Sequence, residues 1–336
     1  MKIKYDIIPA NQLPDAMADA WSRTVSENPS FASPLFSPEY TLAVASVIPN
    51  IHVAVQYASG TYLSFMPFEL CRFGIAKKLF LADYDGIIHG GQLDLNVPLF
   101  LEKCGLRAWD FKFLRSPYIP IAHGRVQEYS VIDLKDGFDA YVEARQRAGS
   151  KQVRDSRASE RKLSREIGPV RFEQSVFSGK LLSTIFEWKT MKYGRSGRST
   201  EQVAALLLRL METQSTGCSG VLSALYAADS VVALHFGLRS QTTWQYWWPA
   251  YSPEFTEYSP GIILLLKMLE SAPALGITSF DLGVGTEYLY KRRLRTGFGH
   301  VTSGSIAVSP VIPAFRSMKR VANVLLSSRK WGNSSG

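Results

Sequence analysis

The chain has 336 residues, 46% of them hydrophobic and 20% charged, and a formal net charge of +9. That length fits two domains of roughly 100–200 residues, and the apolar content excludes disorder along the whole chain. No apolar run reaches the roughly 18 residues of a membrane span, and the three scattered cysteines, Cys71, Cys104 and Cys218, exclude a disulfide framework and a CxxC metal site.

Met1 to Pro9 alternates charged and apolar residues without a signal-peptide core, so a cytoplasmic location is expected. Asp15 to Asn28 has helical spacing. A Ser/Pro-rich loop follows, and Pro38 opens a second helix with Ser37 as N-cap and Glu39 in its first turn. Ile51–Tyr57 and Thr61–Glu69 form a hairpin around Ser59-Gly60. Leu79–Tyr84 is expected as a strand, Leu93–Cys104 as a short helix, and Trp109–Leu114 and Glu128–Asp133 as strands. Gly137 to about Gly168 is a polar helical stretch broken near Gly149. Beyond it come a strand at Val170–Glu173 and helices at Ser178–Tyr193 and Gln202–Thr213. Val221–Ala227, Val231–Arg239 and Thr242–Trp248 are consecutive strands. A helix over Ile262–Ala272, a strand over Thr278–Leu282 and a helix over Thr286–Arg295 complete the pattern.

The charge is concentrated. Between Arg145 and Arg171 nine Lys/Arg face three acids, Asp155, Glu160 and Glu166. The tail adds Arg316, Lys319, Arg320, Arg329 and Lys330 around the apolar Val321–Leu326. Such a field favours anionic partners. For the arm, which includes Arg154, the choice lies between a solvated helical face and a patch that grips an anionic donor or acceptor. For the tail, surface docking on an anionic membrane is a possible role.

Four features bear on chemistry. Ser259-Pro260-Gly261 starts the Ile262 helix, where free N–H groups and the dipole attract phosphate; a plain helix start under a packed helix is the alternative. Phe280-Asp281-Leu282-Gly283 to Lys291 delivers Asp281 at a strand end, with Glu287, Tyr290 and Lys291 following. This segment forms either a polar cluster at a cleft or a simple Glu287–Lys291 ion pair. His235 alternates with small residues on its strand, facing a ligand or serving as a structural histidine. Trp244, Tyr246, Trp247 and Trp248 line a pocket for a sugar or flat group, or belong to the core. Asp83-Tyr84-Asp85 matches a DxD metal site, but Gly86 makes a turn the simpler account. No metal is expected.

The second half, about Arg147 to Phe298, resembles the GNAT-like acyltransferases of the CelD-like (BioF2-like) family linked to bacterial cellulose and exopolysaccharide biosynthesis. The likeness lies in the basic Lys151–Leu163 run, the Val231–Arg239 strand, Tyr251 with Tyr258-Ser259-Pro260-Gly261, and Phe280-Asp281-Leu282-Gly283 with Gly285, Glu287, Tyr288, Tyr290 and Lys291. The resemblance implies a mixed α/β (α+β) fold of two GNAT-like lobes, each a largely antiparallel sheet flanked by helices. On the sequence these would span 1–136 and 169–310, joined by a basic arm at 137–168 and followed by a tail at 311–336. Ser259-Pro260-Gly261 replaces the usual GNAT pyrophosphate loop.

It also implies acetyl-CoA or another acyl-CoA as donor, held at Ser259, Pro260, Gly261 and Ile262, and a sugar or nucleotide-sugar acceptor. Asp281 or Glu287 would act as base or substrate anchor, and His235 as the second base. Tyr246 or Tyr290 would protonate the leaving thiolate, and Lys291 would hold an anionic group. Trp244, Tyr246, Trp247 and Arg154 would touch substrate. Two alternatives stay open: a Fem-like aminoacyltransferase that binds tRNA, and a non-catalytic GNAT-like binding subunit with a closed cleft.

Overall fold

The computed structural model describes residues 2–91, 95–115, 124–193 and 200–308. Strands β1 (Ile3–Pro9), β2 (Ile51–Ala58), β3 (Thr61–Cys71), β4 (Ile75–Lys77), β5 (Ile88–His89) and β6 (Ala108–Leu114) belong to the first part of the chain. They are followed by β7 (Arg125–Asp133), β8 (Val170–Glu173), β9 (Ser219–Ala227), β10 (Ser230–Arg239), β11 (Thr243–Tyr251), β12 (Ser279–Val284) and β13 (Gly297–Ala307). All join one sheet in the order β1-β2-β3-β4-β6-β13-β7-β12-β11-β10-β9-β8, with β5 on β3. Neighbours are antiparallel except for two parallel pairs, β4 with β6 and β11 with β12, one in each half of the sheet.

The two halves exchange strands. β7 comes before the basic arm yet pairs with β12, whereas β13, from the far end of the chain, runs between β6 and β7. The sequence boundaries at 136 and 169 are therefore crossed by the sheet, because hydrogen-bond pairing does not follow chain order.

Helices α1 (Asp15–Glu27), α2 (Pro38–Ala45), α3 (Val97–Lys103), α4 (Gly137–Arg147), α5 (Gln152–Glu166), α6 (Gly179–Tyr193), α7 (Thr200–Glu212), α8 (Pro260–Ser271) and α9 (Leu289–Leu294) cover the sheet. On one face a single apolar cluster joins both halves, with Trp21 and Tyr40 beside Leu206, Leu210 and Phe236. On the other face each half has its own core, Phe68, Phe100 and Trp109 in one and Trp244, Leu264 and Phe280 in the other.

Local chemistry explains many boundaries. The Ser37 hydroxyl accepts the Tyr40 N–H at 3.1 Å and starts α2 beside Pro38. Gly149 at φ 77° separates α4 from α5, as the sequence suggested. α5 is mostly polar and buries Val153, Ser156 and Leu163 on one stripe. It docks on α8, with an ion pair between Lys267 and Glu160 at 2.9 Å.

Two expected elements differ, and one strand lies outside the expected set. Residues 79–84 form no strand; Leu79, Phe80, Ala82 and Tyr84 are buried by contacts between the halves rather than by a ladder. The helix expected over 286–295 is confined to α9, because Gly285 at φ 115° holds the preceding turn open. β13 lacks a clean apolar alternation, and its place is fixed by β6 and β7. The basic tail lies outside the described residues. Among the described residues no helix is long and apolar enough to cross a membrane.

Candidate active site

β11 and β12 pair in parallel over Thr243–Ser279, Trp244–Phe280 and Gln245–Asp281, then part. A cleft of about 480 Å³ opens where they diverge. β11 supplies Tyr246, Trp247 and Tyr251, and α6 supplies Trp188 and Lys189. The start of α8 adds Ser259, Gly261 and Ile262, and the α9 segment adds Tyr288, Tyr290 and Lys291.

The α8 start differs from a simple cap. Ser259 is left-handed, at φ 54°, and its side chain caps nothing. Its carbonyl accepts the N–H groups of Ile262 (2.9 Å) and Ile263 (3.3 Å). Pro260 has no N–H, and Gly261, which follows it, lines the cleft. A Cβ on Gly261 would lie 3.2 Å from the Tyr251 ring, so the close approach that glycine permits is made by Tyr251.

Of the expected site residues, Ser259, Gly261, Ile262, Tyr246, Trp247, Tyr290 and Lys291 line this cleft; Pro260 is buried beside them. Tyr246 is held neutral, its hydroxyl pushed well above 10, chiefly by burial. Lys291 is also buried; its Nζ donates to the Val284 carbonyl at 2.6 Å, and burial lowers its amine from the usual value.

The other candidates lie elsewhere. Asp281 is no exposed base at a strand end. Its Oδ1 accepts the Tyr84 hydroxyl (2.7 Å) and the Gly283 N–H (2.8 Å), and its Oδ2 pairs with Arg115 at 3.0 Å. The Arg115 guanidinium lies over the rings of both Tyr84 and Tyr129, which meet edge to face. His235 is fully buried, accepts the Trp247 N–H at 3.1 Å and stacks flat on Tyr246 at 4.6 Å. Burial drops its pKa to about 3, so it is neutral and engaged rather than poised as a base. Trp244 is core, tilted against Phe280. Glu287 is exposed before α9, and Lys291 bonds to Val284 instead of forming the i,i+4 pair. Arg154 is exposed on α5 and paired with its neighbour Asp155. The elbow between α4 and α5 instead places Arg145, Lys151, Arg292 and Arg293 around a second cavity of about 460 Å³.

Sequence reasoning underrated the segment 79–86. Asp83 and Asp85 do not converge as a DxD pair. Asp83 accepts from Gln245 Nε2 at 3.3 Å, whereas Asp85 accepts its own turn's Gly86 N–H at 3.1 Å. Among the described residues no group of three His, Cys, Asp or Glu is placed to hold a metal ion. Two carboxylates inside an apolar run were the available signal, because buried acids need partners from elsewhere in the fold. Trp188 and Lys189 had no local signature, whereas Tyr288 stood in the resemblance without a role.

Residues 150–292 match the family model described as an acetyltransferase (GNAT) domain. No curated protein matches the sequence. Among solved structures, FemX aligns with a TM-score of 0.57 and 10% identity, covering 89% of this chain and 97% of its own. A tandem GNAT protein from the clavulanic acid biosynthesis pathway aligns with a TM-score of 0.50 and 8% identity, covering 92% of this chain and 99% of its own. The fold is thus a mixed α+β fold with tandem GNAT neighbours, and the domain match supports acyltransferase activity.

Proposed function

We propose that this chain transfers an acyl group from acyl-CoA, acetyl-CoA in the simplest case, to an amine or hydroxyl of a sugar or nucleotide-sugar used in envelope or exopolysaccharide assembly. The observation that carries this reading is the parting of β11 from β12 beside the start of α8. The opening has room for a thioester arm. The Gly261 N–H and the dipole of α8 suit the donor's phosphates. Lys189 adds positive charge, and the rings of Trp188, Trp247 and Tyr251 suit the flat, apolar faces of a sugar ring.

Acyl-CoA supplies the acyl group already activated as a thioester. The residues of this chain then orient the reactants and move protons. Tyr246 and Tyr290 both line the cleft. Tyr246, kept protonated by burial, can donate a hydrogen bond to the leaving sulfur; as the C–N bond forms and the C–S bond breaks, the proton shed by the attacking amine goes to the thiolate. Lys291 offers a donor for the oxygen on which negative charge develops. With Asp281 bound on both oxygens and His235 neutral and engaged, an amine acceptor enters as the free base.

Calorimetric titration with acetyl-CoA tests the donor. Saturable binding is expected, and Gly261→Glu is expected to abolish it by driving a carboxylate into the space beside Tyr251. No binding by the folded wild-type protein would overturn acetyl-CoA as donor. Steeply salt-dependent tRNA binding in its place would favour the aminoacyl-transfer alternative. Although His235 and Trp247 are buried, the cleft beside them is open, which favours catalysis over a closed binding subunit.

A further inference from the structure

Asp83 comes from the N-terminal half and reaches Gln245, the β11 residue next to Tyr246 of the cleft. Gln245 Nε2 donates to its Oδ2 at 3.3 Å, and Gln245 Oε1 in turn accepts from Ser33 Oγ at 3.0 Å. Asp83 keeps part of its surface open, so it stands in a crevice and not in solid core. Two left-handed glycines in the turn after β12 make room for it and for Lys291. A Cβ on Gly283 (φ 72°) would lie 3.4 Å from Asp83 Oδ2, and one on Gly285 (φ 115°) 3.3 Å from Lys291 Nζ. The acid and the amine thus approach the same short turn. The Val284 carbonyl that accepts from Lys291 lies between the two glycines.

The surrounding charges single out Asp83. Burial lowers the Lys291 amine, and Asp83, Asp281 and Glu287 oppose that effect, Asp83 most strongly. Asp281 is already matched by Arg115, Tyr84 and the Gly283 N–H. Glu287 is exposed, where solvent and salt weaken its pull. Asp83 itself faces Lys78, Asp281 and Lys291, with Lys78 Nζ donating to the Ala82 carbonyl. Burial raises its carboxyl to about 6, which leaves it ionised at neutral pH.

We propose that Asp83 is a positioning residue of the acyl cleft: it holds Lys291 as an ammonium ion, so that Lys291 acts as a charged hydrogen-bond donor and not as a proton acceptor. The role given to Lys291 rests on the acyltransferase reading; the coupling between the two side chains does not. A cleft residue of the C-terminal half, Lys291, is then set by an acid from the N-terminal half.

The coupling is read from the pH dependence of Lys291 labelling by acetic anhydride, followed by mass spectrometry, because only the neutral amine reacts. In Asp83→Asn the midpoint is expected to fall by about one pH unit, which makes labelling about tenfold faster at a given pH below it. Asp83→Glu is expected to stay near the wild-type midpoint. Equal midpoints in wild type and a folded Asp83→Asn would overturn the proposal. Should Asp83→Asn not fold, Lys291→Met reads the coupling from the other side. The Asp83 carboxyl resonance is then expected to titrate above its wild-type midpoint, and an unchanged midpoint would overturn the proposal. Acetyl-CoA titration of the same samples separates the two readings. A labelling shift without donor binding upholds the coupling and overturns the acyl role; donor binding without a shift does the reverse.

Discussion

A Cβ on residue 237 would lie 2.3 Å from Cε1 of His235 and 2.6 Å from the Gln245 carbonyl oxygen. Gly237 is therefore the space in which the imidazole lies. It falls at the irregularity where β10 slips against β11 between Phe236 and Leu238. The freed ring turns flat against Tyr246 and accepts the Trp247 N–H, which fixes the β11 wall of the cleft.

Gly237→Ala is expected to destabilise the protein by about 1–3 kcal/mol, since the added methyl meets fixed backbone as well as the ring. Urea unfolding gives the loss. Trp247 fluorescence in the folded variant reports the displacement of His235.

Arg115 and Asp281 tie the two halves together, with their side chains 14% and 2% exposed. Asp281→Asn leaves the guanidinium without its counter-charge and is expected to cost about 3–5 kcal/mol. Adding Arg115→Met removes the stranded cation, so the double variant is expected to be clearly less destabilised than the sum of the two singles. Strict additivity in urea midpoints would show that the pair is not coupled.

Asp85 is buried, with one carboxylate oxygen that has no hydrogen-bond partner, and burial raises its carboxyl to about 7. An unfolded Asp titrates near ~3.9, so the folded state keeps a proton that the unfolded state loses. The stabilisation tied to that proton is full below about 4 and is lost as pH rises toward about 7. His235 acts in the opposite sense: neutral when folded down to about 3, it costs stability as pH falls below about 6.5. Asp85→Asn is expected to gain on wild type by up to about 1.4 kcal/mol per pH unit between about pH 4 and 7. Urea midpoints of both proteins across that range measure the gain, and parallel pH profiles would refute it.

The sequence by itself determined most elements and singled out two segments that line the cleft. Ser37-Pro38, the Ser59-Gly60 hairpin, the break at Gly149 and the strands from Val221 to Trp248 depend on turn chemistry, capping and periodicity that act within a few residues. The junction at Ser259-Pro260-Gly261 and the run ending in Tyr290-Lys291 stood out through their glycines and the family resemblance, with a plain helix start and a simple ion pair as the alternatives. Tertiary structure decided the rest. Whether Asp281 is a base or half of a buried ion pair depends on Arg115, 166 residues away in the chain. Whether His235 titrates depends on Gly237, Tyr246 and the slip of β10 on β11. The strand at Gly297–Ala307 and the burial of residues 79–86 follow from pairing and packing between halves. Local spacing specifies backbone conformation, but the charge state and accessibility of a side chain are set by whatever the fold brings against it.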